Sequence, residues 1–203
     1  MKIIDLLTQD RPTLSFEVFP PKTSDTYDSV AKATQEIAAL RPDFMSVTYG
    51  AGGGTSDYTV NIAAGISQTY GVDVLAHLTC VSSTREHVAK VLDQLKEKGI
   101  QNVLALRGDI PEGGAPAHDY QYAAQLVKDI QAHGDFCIGG ACYPEGHVEC
   151  PHFSADLDNL KRKVDAGLDF LTTQMFFDND VLYRFLFRAL SRGIGVPIVA
   201  GIM

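Results

Sequence analysis

Tryptophan is absent from this chain of 203 residues, and cysteine appears only four times, at Cys80, Cys137, Cys142 and Cys150. Four cysteines are too few to staple a fold of this size, so they are expected as free thiols in a reducing compartment. Nothing approaches the roughly 18 uninterrupted apolar residues of a membrane span. The opening "MKIIDLLTQDRP" holds one Lys and a short apolar patch broken by Asp5, without the h-region and cleavage site of a signal peptide. A cytoplasmic, membrane-free protein is the expectation. Lys/Arg-rich runs are also missing, and the formal net charge is −8, which argues against a nucleic acid as main partner. With 45% apolar and 21% charged residues, the collagen-like and disordered classes are excluded.

What is present is a regular alternation. Short apolar runs begin at Leu14, Phe44, Val72, Asn102, Phe136, Phe170 and Pro197, 27 to 34 residues apart. That spacing fits one strand, one helix and two loops. Between the runs the period becomes helical. In residues 83–99, Thr84 or Ser83 can cap, Val88, Val91, Leu92 and Leu95 share a face, and Gly99 stops the helix. Residues 154–167 repeat the design, with Ser154 as cap and Gly167 as stop. Alternating strands and helices imply a parallel sheet with right-handed crossovers, and no Pro/Ser-rich linker divides it, so residues 1–203 read as one domain.

A doubly wound sheet that binds dinucleotide would carry G-x-G-x-x-G in its first strand-to-helix turn, but that turn reads "PPKTSD". Polar residues also end several strands: Glu17, Thr48, His77, Asp109, Tyr143 and Gln174. A barrel gathers all such ends at one mouth, so the expected fold is an α/β (β/α)8 TIM-type barrel. Only about seven strands are present. The final strand and helix are missing from the expected count.

Particular residues then suggest chemistry. Glu17 in "SFEVFPPK" alternates with Phe16 and Val18, so it points into the barrel axis, where apolar walls raise a carboxyl pKa as a general acid needs. The competing reading is a buried structural ion pair. Arg107 and Asp109 end the run "NVLALRGD"; two residues apart on a strand, they form either a wall of a site, with Gly108 admitting a ligand, or an intra-strand ion pair closing a turn. The loop "VTYGAGGGTSD" can cradle phosphate or form a mobile lid over the mouth, and it lacks the P-loop lysine. Asp156, Asn159 and Lys163 fall on one helix face with Arg162 beside it, which suits a ribose and pyrophosphate or else a solvated stripe that includes Lys161. Cys142, His147, Cys150 and His152 are zinc-ligand types at spacings that fit no compact knuckle, so no metal is expected.

Together "SFEVFPPK", "FMSVTYGAGG", "AHLTC", "LALRGD", "ACYPEGH", "LKRKVDAG", "TQMFFD" and "GIM" resemble the methylenetetrahydrofolate reductase family, over essentially the whole chain. The resemblance implies an FAD-containing barrel that takes hydride from NADH or NADPH and reduces 5,10-methylenetetrahydrofolate to 5-methyltetrahydrofolate in ping-pong fashion, within one-carbon metabolism and methionine biosynthesis. It implies Glu17 as the acid that protonates the departing folate nitrogen, and Asp109 as the carboxylate beside the flavin. It places Thr48, Tyr49, Ala51, His77, Arg107, Gly108, Tyr122, Tyr143 and His147 against the flavin. Asp156, Asn159, Arg162 and Lys163 are implied on its ribose and diphosphate, with Gln174, Glu17 and Asp109 on folate. A homo-oligomer is implied as well. The alternative is a truncated barrel that binds flavin without turnover, as an assembly protein.

Overall fold

The structure is a computed structural model that describes residues 1–21, 27–49, 56–109 and 119–202. Each anticipated apolar run forms a strand: β1 (Ser15–Val18), β2 (Phe44–Val47), β3 (Asp73–Thr79), β4 (Asn102–Leu106), β5 (Cys137–Cys142), β6 (Phe170–Thr173) and β7 (Ile198–Val199). They pair in chain order and all in parallel. Helices intervene: α1 (Ile3–Leu7), α2 (Tyr27–Ala39), α3 (Ser56–Gly65, continued by a π-helical turn, Ile66–Tyr70), α4 (Arg85–Glu97), α5 (Ala123–His133), α6 (Phe153–Asp165) and α7 (Asn179–Ser191). A doubly wound sheet must reverse its strand order, and this one does not. It is the winding of a (β/α)8 barrel, seven strands of which are present in a curled sheet. No helix among the described residues is long and apolar enough to cross a membrane.

Alternation along the strands separates two apolar cores. Outward residues such as Val47, Val74, Leu78, Val103, Ile138 and Leu171 pack against Val91, Leu95, Leu126, Ile130, Leu160 and Phe185 from the helices. Inward residues Phe44, Leu75, Leu104, Cys137 and Phe170 form a second cluster with Ile3 and Leu6 of α1, which closes the lower end. Asn102 pins that plug: its Oδ1 accepts from the Ile3 amide at 2.9 Å, and its Nδ2 donates to Met1 O at 3.1 Å and Val74 O at 3.2 Å. Gly139 is required beside this cluster, because a Cβ there would lie 2.5 Å from Phe170 Cζ.

The helix signals hold for α4, where Thr84 Oγ1 accepts from the His87 amide at 3.1 Å and Gly99 follows with φ +76°. The reading of α6 needs correction. Its N-cap is His152, and Ser154 lies inside the first turn, where its hydroxyl accepts from Arg192 Nη2 at 2.9 Å. Phe153, packed on the core under the Arg188 guanidinium, draws the helix start forward.

Candidate active site

Register carries one parity around the sheet. Glu17 pairs with Ser46, Ser46 with Leu75, His77 with Leu104, Gly139 with Phe170, and Ala141 with Thr172. All of these share the face of the inner cluster, so Glu17 points into the barrel as alternation implied. The lower rungs are filled by Phe44, Leu75, Leu104 and Phe170. Above them the same face carries Ser46, Thr48, His77, Thr79, Ala141, Tyr143, Thr172 and Gln174, mostly small or polar and several of them half-exposed. The inner face thus passes from a packed apolar floor to smaller and more polar residues above it.

Glu17 stands exposed at the end of β1, yet partial burial of its carboxyl pushes the pKa up. No ion pair to it is present among the described residues, which removes the support for the structural reading there. His77 is buried to 8% exposure, and desolvation drops its pKa to about 4, so the ring is neutral at neutral pH. No hydrogen bond reaches the ring from the described residues.

The Arg107-Gly108-Asp109 end differs from expectation. β4 stops at Leu106, and Gly108 adopts φ +82°, so Arg107 and Asp109 sit on a turn and not on one strand face. The turn is held by the Cys80 and Val81 amides, which donate to Arg107 O at 3.1 and 2.8 Å. A Cβ on residue 108 would lie 2.9 Å from Thr79 Cβ, so glycine is needed for the fold itself. Arg107 does not close an intra-strand pair with Asp109. Its guanidinium forks onto Glu149, Nη1 to Oε2 at 2.5 Å and Nη2 to Oε1 at 2.7 Å. Burial, then the charge of Asp109, pushes up the Tyr143 hydroxyl, while Arg107 opposes them; the ends of β4 and β5 thus share one electrostatic neighbourhood.

After β5, His147 stacks edge-on to Tyr143 with centroids 4.7 Å apart, and its amide donates to Asp156 Oδ2 at 3.2 Å. A cavity of about 330 Å³ opens here, lined by Gly146, His147, Cys150, Phe153 and Asp156 among others. The expected face of α6 divides. Asp156 and Lys163 are half-buried, and Lys163 reaches inward to donate its ammonium to Ala141 O, with burial lowering its pKa. Asn159 and Arg162 stay exposed, Arg162 Nη1 donating to Asn159 Oδ1 at 3.1 Å. Lys161 belongs to the solvated stripe, paired with Asp165 at 2.6 Å.

Gln174 lies just past β6; its amide N–H donates to Cys142 O at 2.7 Å, and its Oε1 accepts from the Met175 amide, leaving the side-chain NH₂ toward solvent. Thr48 follows β2 on the inner parity. Tyr49 turns the other way. Its ring is buried in the helical layer with its hydroxyl 3.2 Å from His87 Nε2, because residue 49 falls on the outward parity. Tyr122 is the exposed N-cap of α5. Ala51 and most of the Gly-rich loop lie outside the described residues. Cys142 packs in the outer core while His147 stacks on the inward Tyr143, so the zinc-type side chains diverge, and no cluster of metal-ligand type exists among the described residues. Sequence reasoning missed Glu149, whose position in the loop "HVEC" follows no period.

Comparison with known proteins decides the lineage. The chain matches methylenetetrahydrofolate reductase over residues 2–203. The chain belongs to the methylenetetrahydrofolate reductase family. Among relatives, it is 43% identical over 196 residues to the 5,10-methylenetetrahydrofolate reductase of Pectobacterium carotovorum subsp. carotovorum, covering 96% of this chain and 65% of that protein. It is 40% identical to the enzyme of that name from Escherichia coli (strain K12), with the same coverage of 96% and 65%. It is 39% identical to Methylenetetrahydrofolate reductase (NADH) 1 of Zea mays, covering all of this chain and 37% of that one. The chain thus spans about two thirds of the bacterial relatives, 65% of their length. Among solved structures, a Clostridium thermocellum protein that binds two copies of 5-methyl-5,6,7,8-tetrahydrofolic acid aligns at TM-score 0.67 and 15% identity, covering 98% of this chain and 69% of that one. A 2,3-dimethylmalate lyase aligns at TM-score 0.65 and 11% identity, covering 97% and 69%. At such identities these two likenesses concern the fold alone.

Proposed function

We propose that this chain forms the flavin and folate site of a 5,10-methylenetetrahydrofolate reductase, with FAD as cofactor and NADH or NADPH as reductant. The family match over residues 2–203 carries the reading. The mouth fits a planar cofactor on two grounds. Small and half-exposed side chains line its upper level, and the buried His77 ring, which takes no hydrogen bond from the described residues, offers a neutral hydrogen-bonding group on that face. The cavity beside His147 and Asp156, with the Arg162 guanidinium free to turn from Asn159, supports placing the ribose and diphosphate at the start of α6.

When bound, FAD supplies a hydride carrier between nicotinamide and folate, which lets the two substrates alternate at one face. The residues of the chain do the rest. Glu17, whose carboxyl pKa is pushed up by partial burial, is the group placed to deliver a proton to the folate nitrogen as the five-membered ring opens. Asp109 sets a negative charge near the cofactor and so disfavours further negative charge there. Thr48, His77, Arg107, Gly108, Tyr143 and His147 hold the ring system, with Tyr122 at the rim. Tyr49 contributes through its backbone alone, since its side chain faces α4. Asp156, Asn159, Arg162 and Lys163 hold the ribose and diphosphate, and Gln174 offers its free NH₂ to the pterin. A homo-oligomer fits the exposed α7 stripe of Tyr183, Phe187 and Leu190.

Stopped-flow absorbance tests the reading. Protein loaded with FAD should bleach with NADH or NADPH and regain its yellow colour on addition of methylenetetrahydrofolate. Bleaching without folate-driven reoxidation would replace the reading with a flavin-binding protein that lacks turnover.

A further inference from the structure

The main-chain register between β4 and β5 runs from Asn102 and Cys137 only as far as Ala105 and Gly140. Beyond it, side chains join the two strand ends, and Glu149 makes contact with both. Its carboxylate takes the Arg107 fork at 2.5 and 2.7 Å. Its amide N–H donates to His147 Nδ1 at 3.2 Å. An amide can only donate, so Nδ1 must accept, and the proton of the neutral ring sits on Nε2. The same ring is held edge-on against Tyr143, and the His147 amide is held by Asp156. Glu149 itself is exposed. An exposed ion pair adds little to stability, so the effect of this one lies in orientation. Two-point contact fixes the guanidinium plane as a single contact does not.

We propose that Glu149 is a positioning residue for the mouth: its carboxylate sets the plane of Arg107 and its amide sets His147 as an Nε2–H donor, so that both are oriented before the cofactor arrives. This inference rests on the flavin reading above. Orientation in advance lowers the ordering cost of binding and so appears as affinity.

The test compares Glu149→Ala, Glu149→Gln and Glu149→Asp with the wild type in three measurements. Titration of apoprotein with FAD, followed by flavin fluorescence, should show the dissociation constant rising about tenfold in the Ala and Gln variants. The Asp variant, which keeps the charge, should recover part of the loss. Thermal midpoints of the apoproteins should stay equal, since an exposed ion pair is all that is removed. Nitrogen-15 NMR of the wild-type apoprotein should show His147 protonated at Nε2 and the Arg107 Nη protons, which Glu149 accepts, protected from exchange, with that protection lost in the Ala variant. Equal FAD affinity in all four proteins would overturn the proposal. So would a fall in thermal midpoint that tracks the loss of affinity, because it would mean a structural role. Unprotected Arg107 in wild-type apoprotein would overturn the clasp itself. Wild-type protein that shows both NMR signals and binds no FAD would instead overturn the flavin reading, and the role of Glu149 with it.

Discussion

The lower and upper halves of the barrel interior are built from the same strands and the same inward parity, yet they are opposites. Below, Phe44, Leu75, Leu104 and Phe170 meet α1 with almost no exposure. Above, Ser46, Thr48, His77, Ala141, Tyr143 and Thr172 are smaller or polar, and four of them are part-exposed. Two residues along a strand separate a side chain that stabilises from one that can act. Leu75 and His77 are such a pair, as are Phe170 and Thr172. The difference lies in side-chain size and polarity alone, since the backbone is continuous through both levels.

Four substitutions sharpen or break that contrast. The largest effect belongs to the floor: Phe170→Ala should cost about 3–5 kcal/mol in urea unfolding, the range for emptying a buried aromatic site. A cost no greater than that of a mouth substitution would dissolve the distinction. Next, Glu17→Gln should leave the unfolding midpoint alone and preserve NADH oxidation, while folate reduction falls by about 10²-fold or more. Equal loss in the two half-reactions would move Glu17 to the structural side.

His77 spans both halves, being buried like the floor and polar like the mouth. Its folded pKa lies near 4 against an ordinary 6.5, so below 6.5 the unfolded chain takes up the proton first. The stability tied to its neutral form is complete above pH 6.5 and is lost as pH falls from there toward 4. His77→Gln should therefore flatten a loss of about 1–2 kcal/mol between about pH 7 and about pH 5, read by urea unfolding at each pH. An unchanged pH profile would place the ring in water. The smallest effect is Asp109→Asn, expected to raise the flavin midpoint potential by roughly tens of millivolts; potentiometric titration with no shift would discard the charge as a tuning device.

Much of the floor was legible in the sequence because it obeys a period. The seven apolar runs, their parallel pairing and the inward turn of Glu17 all follow from alternation and spacing. The cap and stop of α4 follow from local chemistry that needs no distant partner. Where a residue sat past the last strand position, reading failed. Arg107 and Asp109 do not share a face, because Gly108 swings the chain to positive φ one residue after β4 ends. Glu149 was invisible, since its partner lies 42 positions away and no pattern links them. Lys163 read as part of a polar helix face for a ribose and pyrophosphate or of a solvated stripe, yet its ammonium turns in to a strand carbonyl that only the folded sheet supplies. The resemblance named Thr48, His77 and Tyr143, which the strand parity brings to the inner face, while the direction of Tyr49 emerged only from its parity beyond β2.

The plug at the lower end bears on how the chain comes together during folding. Helix α1 is five residues long, too short to persist unaided in water. The side chain that holds its first amide arrives 99 residues later. Helix α1 can therefore dock only once the fourth strand has formed and paired, and the lower end of the sheet closes after that strand is in place.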